Sequence, residues 1–192
     1  MSHSLFAAAK AGDLALVQSL LEAGADPAAL DEAGETALMS AAHAGHLDVV
    51  KALLAAGATA DFKSEQGWTA LAKASYNAET ECGYPQVIAA LHEAGADLNV
   101  RIFFGITPLM LAAGGGDASV VEWLINNGAD VLATNDGGRT ARLMANDKFY
   151  VDVINLLTDA ERQLGVSEDG SCSSTKSVIQ PSVVNMLKPT TH

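Results

Sequence analysis

The chain has 192 residues and a formal net charge of −12, and 49% of its residues are hydrophobic although only 5% are aromatic. A surface this acidic repels phosphate backbones, which disfavours nucleic-acid binding, and no apolar run approaches the roughly 20 residues that a membrane-spanning helix needs. Cys82 and Cys172 are the only cysteines, so no disulfide framework is predicted and a reducing cytoplasm is the expected compartment.

Glycines recur along the chain at a regular spacing. Within each of three series the consecutive steps are 33, 38 and 33 residues. The series are Gly12, Gly45, Gly83 and Gly116; Gly24, Gly57, Gly95 and Gly128; and Gly34, Gly67, Gly105 and Gly138. Three registers that step together indicate an internal repeat.

Each repeat carries two short stretches with apolar residues at helical spacing. In the second repeat these stretches are residues 38–42 and 49–54. Helices shorter than about 12–15 residues are marginal in water, so their apolar faces must be buried against neighbouring repeats. The first glycine of a repeat separates its two helices, the second ends the second helix with a left-handed cap, and a Gly-x-Thr turn leads onward. The pattern therefore predicts an all-helical solenoid.

Two segments carry the pattern almost in full: DEAGETALMSAAHAGHLDVVKALLAAGAT (31–59) and GITPLMLAAGGGDASVVEWLINNGAD (105–130). They resemble the ankyrin repeat, and the resemblance covers residues 4–162. It implies helix-turn-helix units with short hairpin fingers and a concave groove. We place five units at 4–30, 31–63, 64–101, 102–134 and 135–162. The outer two are irregular, with Arg142 at a core leucine position of the last, as the capping of an open stack requires.

The resemblance also implies binding positions: the two residues before each turn glycine, the one after it, and the two that end the first helix. Repeats three and four place aromatic residues there, flanked by acidic residues of repeats two and three. The candidates are Glu32, Glu35, Glu65, Trp68, Tyr76, Phe103, Phe104 and Ile106. Contiguous exposed apolar residues usually mark interaction sites, so we predict an aromatic contact surface on repeats three and four. Alternatively, the phenylalanines pack between fingers, or the chain's own tail covers them.

The third repeat is longer than the others. The glycines that flank its first helix are 16 residues apart, whereas those of repeats two and four are 11 apart. The extra residues fall in the loop 77–82, before Pro85, which is expected to begin the second helix. Such insertions often lie on a binding face, so a ligand-binding or catalytic module built on this loop is one alternative, and a tolerated surface loop is another. Glu79, Glu81 and Cys82 lack a further thiol or histidine at metal-ligand spacing.

Residues 163–192 are predicted to be a linker followed by an apolar tail. Residues 165–177 are rich in serine and glycine, which is typical of a flexible linker. Residues 178–192 are apolar enough to bind a partner or to dock on the chain's own groove, but chain ends are commonly disordered. The sequence leaves these outcomes open.

No arrangement of residues in the sequence indicates catalysis, a cofactor or a metal. His43 and His46 are three residues apart, but no third ligand is spaced to complete a metal site. His46 stands where the family's histidine is expected to cap the second helix. The glycines 114–116 are not followed by the Gly-Lys-Ser/Thr of a phosphate loop. The aspartates that end the repeats are expected to accept hairpin hydrogen bonds: Asp26, Asp97 and Asp130.

Together these observations predict a non-catalytic protein-interaction module that uses the groove and fingers of repeats three and four. It would act as an adaptor, an inhibitor or an assembly factor. The expected partner is another protein with an apolar patch and a basic rim, and neither nucleic acid nor a membrane. A further alternative is a bacterial effector that acts on a host protein.

Overall fold

The computed structural model describes residues 4–76 and 82–166, and these form ten α-helices in five consecutive pairs. The first helices of the pairs are α1 (Leu5–Ala11), α3 (Ala37–Ala44), α5 (Ala70–Ser75), α7 (Pro108–Gly115) and α9 (Ala141–Lys148). The second helices are α2 (Leu14–Glu22), α4 (Leu47–Ala55), α6 (Pro85–Glu93), α8 (Ala118–Asn126) and α10 (Val151–Gln163). Residues 77–81 of the predicted loop 77–82, and residues 167–192 of the predicted linker and tail (163–192), lie outside the described residues.

The helices form two layers, and the hydrophobic core lies between them. Each first helix packs against the first helices of the neighbouring repeats, each second helix does the same in the other layer, and each pair packs internally. Alanines of the first helices are fully buried, for example Ala41, Ala42, Ala112 and Ala113, because small side chains let these helices approach closely. The predicted all-helical solenoid is confirmed.

The threonine of each Gly-x-Thr turn begins the next helix. Thr36, Thr69, Thr107 and Thr140 are N-caps whose hydroxyl oxygens accept the amide N–H three residues later, at 3.2, 3.2, 3.3 and 3.4 Å. A cap of this kind satisfies one of the orphan amides of the first helical turn and stabilises a helix by about 1 kcal/mol. The recurring threonine thus has a local structural cause.

At three of the four glycines between paired helices, a ring of the next repeat lies directly on the backbone. Gly12, Gly45 and Gly116 have φ angles of 74°, 78° and 80°. A Cβ on them would fall 2.6, 2.4 and 2.8 Å from ring atoms of His46, Tyr84 and Tyr150, respectively. The 33-residue glycine register therefore reflects close packing between repeats as well as a left-handed turn.

His46 has a different role from the predicted one. Its side chain makes no capping hydrogen bond to α4. The ring instead reaches the preceding repeat, where Nε2 lies 3.0 Å from the carbonyl oxygen of Lys10. The expectation that the His46 ring caps the second helix is wrong, because the ring packs on Gly12 and bonds to Lys10 instead of to the amides of its own helix.

The aspartates that end the repeats accept hairpin hydrogen bonds, as expected. The Oδ1 atoms of Asp26, Asp97 and Asp130 accept the amide N–H two residues later at 2.8, 2.8 and 3.0 Å. Neighbouring repeats are also joined here, since the Asp97 amide donates to Asp61 Oδ1 at 2.9 Å and the Asp130 amide donates to Asn99 Oδ1 at 2.7 Å. These bonds fix the stagger between repeats.

Asp117 ties the longer third repeat to the fourth. It is the N-cap of α8, where its Oδ1 accepts the amides of Ser119 and Val120 at 3.1 Å and the Ser119 hydroxyl at 2.7 Å. Its Oδ2 accepts the amide of Gly83 at 2.7 Å. Burial by itself would raise the pKa of this carboxyl, but the hydrogen bonds from Gly83, Ser119 and Val120 outweigh it and lower the pKa below its ordinary value of 3.8.

The Asp117→Asn substitution should lower the free energy of unfolding by about 1–2 kcal/mol at neutral pH. The asparagine keeps one acceptor oxygen, but its amide group faces the Gly83 N–H. Because the folded-state pKa of Asp117 is lowered, its stabilising contribution is present above about pH 3.8 and is lost as the pH falls through the folded-state value. Urea titrations at pH 7 and pH 3 should therefore show a smaller difference between the two proteins at pH 3. An equal difference at both pH values would contradict this account.

In the last repeat an ion pair stabilises the arginine that stands at a core leucine position. Arg142, at the position predicted to be a core leucine, lies with Nε 2.6 Å from Oε2 of Glu161 in α10, and the Glu161 side chain is only 7% exposed. A buried carboxylate without such a partner would be strongly unfavourable. In α9 the helix ends at Phe149, which adopts φ 59° where earlier repeats have glycine, and its side chain is 83% exposed.

Candidate functional site

Three aromatic side chains form one surface across the fingers of repeats three and four. The rings of Trp68 and Phe103 meet edge to face, with centroids 5.2 Å apart and an interplanar angle of 62°. Phe103 and Phe104 meet in the same way at 5.6 Å and 81°. Trp68 is half-buried against the core, whereas Phe103 is 39% and Phe104 72% exposed. We call these three residues the aromatic patch.

Two other predicted contact residues lie apart from these ring contacts. Ile106 is half-buried and packs against the hydrophobic core. Tyr76 follows α5 in extended conformation, and its ring lies on Gly115 of α7, where a Cβ would fall 2.2 Å from a ring atom. Trp68 therefore contacts the phenylalanines, whereas Tyr76 packs against the next repeat.

Two adjacent glycines in α7 allow the contact between the Tyr76 ring and Gly115 to be tested. Gly115→Ala should displace the Tyr76 ring and lower the free energy of unfolding by about 1–3 kcal/mol, since overpacking has this typical cost. Gly114→Ala should be neutral or slightly stabilising, because its Cβ would meet only the mobile end of Met144 at 3.3 Å and alanine is the better helix former. Chemical denaturation of both variants measures the contrast. Equal stabilities would show that Tyr76 is not held by this contact.

Lys73, which the sequence did not indicate as a site residue, lies beside Trp68 on the buried side of the aromatic patch. Lys73 Nζ lies 5.4 Å from the centroid of the Trp68 ring and 2.6 Å from Oε1 of Glu35. Both charged side chains are mostly buried, so Glu35 is engaged within the stack. Lys73 lies on α5, whereas Trp68 precedes the Thr69 cap of that helix, so the spacing of helical neighbours does not predict their contact.

Charged side chains of both signs lie on the fingers around the patch. Glu32 and Glu65, both predicted as contact residues, are exposed on the fingers of repeats two and three. Arg101 pairs with Asp136 at 3.4 Å at the edge of Phe104. Exposed ion pairs of this kind contribute little to stability and leave their charges accessible to a partner.

The backbone of the fourth finger is unusual at Phe104. This residue has φ 56° and ψ 23° within a short 3₁₀ turn, Phe103–Gly105. A bulky residue with positive φ is rare, because its Cβ crowds the backbone. Its carbonyl oxygen accepts the amide of Asp136 at 3.0 Å, which joins the fourth finger to the fifth.

Within 4–76 and 82–166 no three histidine, cysteine or carboxylate side chains come together as a potential metal site. Over the same residues no helix combines the length and the apolar character that crossing a bilayer requires. Most of the loop that could carry a ligand site lies outside them.

Comparison with known proteins agrees with the architecture. A family model described as ankyrin repeats in three copies matches residues 5–102, and a second described as ankyrin repeats in many copies matches residues 91–145. The RelA-associated inhibitor of Mus musculus is 31% identical over 100 residues, which are 50% of this chain and 12% of that protein.

Protein phosphatase 1 regulatory subunit 12A of Mus musculus and that of Rattus norvegicus are each 31% identical over 81 residues, 42% of this chain and 8% of theirs. The chain therefore matches only a small part of each of these relatives. Because the first family model covers just over half of the chain, and its helix pairs stack as the repeat requires, the chain belongs to the ankyrin-repeat family.

Proposed function

We propose that this chain is a non-catalytic protein-interaction module whose aromatic patch anchors an apolar side chain of a partner protein. The observation that carries the proposal is the exposure of Phe103 and Phe104 beside Trp68 on neighbouring fingers. Apolar groups left in water are costly, and buried aromatic residues dominate the energetics of interfaces. A partner that covers these rings removes that cost.

The relatives support the general class of function. One is named an inhibitor and the other a regulatory subunit of a phosphatase, and both names describe action through another protein. We propose the same mode for this chain, with adaptor, inhibitor and assembly factor as its possible forms. Binding without catalysis is consistent with the patch, which contains rings and no nucleophile.

The charge of the chain supports a partner with a basic rim. The net charge of −12 would attract a basic protein and raise its association rate at low salt. Glu32 and Glu65 are exposed carboxylates on the fingers of repeats two and three. We assign them to the rim of the interface, where charges orient the partner but add little affinity.

The stacked scaffold supports binding with little loss of conformational entropy. The patch is held by Trp68, which packs on the core, and by the backbone hydrogen bond from Asp136 to Phe104. Ordering costs at an interface run to about 0.5–1.5 kcal/mol for each immobilised side chain. A preformed patch avoids part of this cost. We further propose a cytoplasmic location and intramolecular docking of residues 178–192 as a competitor of the partner.

An affinity capture with matched variants tests the proposal. The Trp68→Ala/Phe104→Ala double variant should lose the captured partner, while Trp123→Ala/Phe149→Ala, which removes the same two residue types elsewhere, should retain it. Circular dichroism and melting temperature serve as folding controls for both. A chain that ends at residue 166 should capture more partner if the tail competes. Retention of the partner by the Trp68/Phe104 variant would contradict the proposed surface.

A further inference from the structure

In three of the fingers a side-chain oxygen closes the turn. Asp31 Oδ1 accepts the amides two and four residues later, both at 2.9 Å. Asn135 Oδ1 accepts the amides two and four residues later at 2.9 and 3.0 Å. Ser64 Oγ accepts the amide four residues later at 3.1 Å. These Asx-type and Ser-type turns hold the finger in one conformation.

The fourth finger has Ile102 at the same position, and isoleucine offers no acceptor. Its backbone still closes the finger, since the Ile102 amide donates to the Ile106 carbonyl at 2.9 Å. In the other fingers the amide that corresponds to Ile106 donates to the side-chain oxygen of the first finger residue. Here the Ile106 amide donates to the Phe103 carbonyl oxygen at 3.3 Å. That bond forms the 3₁₀ turn in which Phe104 is left-handed.

The left-handed Phe104 in the fourth finger has no counterpart in the other three fingers. The residues that match Phe104 in the other fingers are Ala33, Gln66 and Gly137, and none of them has a positive φ. All four fingers share the glycine that follows, with positive φ in each. The fourth finger differs from the other three in the side chain at its first position, which supplies an acceptor to the amide four residues later in those fingers and none here.

We infer that Ile102 is a positioning residue that sets the fourth finger in a conformation suited to hold an apolar side chain of the partner. This inference rests on the proposed function and identifies what arranges its site. With no acceptor at position 102, the turn places Phe103 edge-on to Trp68 and Phe104 edge-on to Phe103. Edge-to-face rings leave ring faces uncovered, and an aliphatic or aromatic side chain packs favourably on such faces.

Three substitutions at position 102 separate positioning from packing. Ile102→Asn supplies the acceptor that Asn135 supplies in the fifth finger, so Phe104 should revert to negative φ and affinity for the captured partner should fall at least tenfold. Ile102→Ala removes more of the buried Ile102 side chain than Ile102→Asn does, but it supplies no acceptor oxygen. It should lower the melting temperature by roughly 5–10 °C and leave affinity within about twofold. Ile102→Val should resemble the parent protein in both measurements.

Two readouts decide the outcome: the φ angle of Phe104 in crystal structures of the variants, and calorimetric affinity for the captured partner. A Phe104 φ that stays near 56° in Ile102→Asn overturns the inference without reference to any partner. Affinity that follows melting temperature across the three variants also overturns it, since Ile102 would then act only through stability. If Phe104 reverts and affinity is unchanged, the link from turn to binding is wrong. The proposed function itself fails only if Trp68→Ala/Phe104→Ala also retains the partner.

Discussion

Phe104→Gly should lose at least about 30-fold in affinity for the partner, because removal of an interface anchor costs about 2 kcal/mol or more. The same change should alter the free energy of unfolding by less than about 1 kcal/mol. Glycine relieves left-handed strain of about 1–2 kcal/mol, which offsets a lost contact with Phe103 of about 0.5–1.5 kcal/mol. Titration calorimetry and urea denaturation measure the two quantities on one sample.

Two matched variants make the result specific. Phe104→Ala also removes the ring but keeps a Cβ at φ 56°, so it should bind as poorly as the glycine variant and be about 1 kcal/mol less stable than it. Phe149→Gly removes the other exposed phenylalanine with positive φ, at the far end of α9 from the finger, and should leave affinity unchanged. Full affinity in Phe104→Gly would remove the ring from the interface.

Gly83→Ala should be the most destabilising single methyl addition among these sites, with a loss of about 3 kcal/mol or more. A Cβ there would lie 2.7 Å from the Ser75 carbonyl oxygen, 2.9 Å from that of Ala74 and 2.8 Å from a methyl of Val120. Backbone atoms cannot move aside as a side chain can. The Gly83 hydrogen bond to Asp117, at 2.7 Å, would be strained as well.

Gly137→Ala is the control for this substitution. It adds the same methyl to a finger residue whose φ is not positive, and the nearest atom is the side-chain oxygen of Asn135 at 3.3 Å. Its free energy of unfolding should stay within about 0.5 kcal/mol of the parent protein. Thermal and urea unfolding of both variants give the comparison. A Gly83→Ala protein as stable as Gly137→Ala would mean that the third repeat can open at this junction.

Much of the fold follows from local chemistry and could be predicted. Thr36 and its equivalents cap the next helix, Pro85 begins α6, and the left-handed glycines separate paired helices. Each of these depends on residues within a few positions of one another. The prediction for His46 failed for the opposite reason, since the ring bonds to Lys10 of another repeat. Contacts 36 residues apart are not visible in a local pattern.

The candidate site was predictable in its residues but less so in its arrangement. Trp68, Phe103 and Phe104 were identified from their positions in the repeat, and whether they bind a partner stays a prediction. Tyr76 was grouped with them, although its ring lies on Gly115. Lys73 was missed because its place beside Trp68 and Glu35 depends on how α5 packs in the stack.

The sequence by itself determined the repeat period, the two short helices of each repeat and the family, because these depend on spacing and on the backbone preferences of glycine and proline. Only the tertiary structure decided that the Tyr76 ring lies on Gly115, that Glu35 is paired with Lys73 and that Asp117 holds the third repeat to the fourth. These features arise where two repeats meet, and the geometry of that meeting depends on packing across the whole stack.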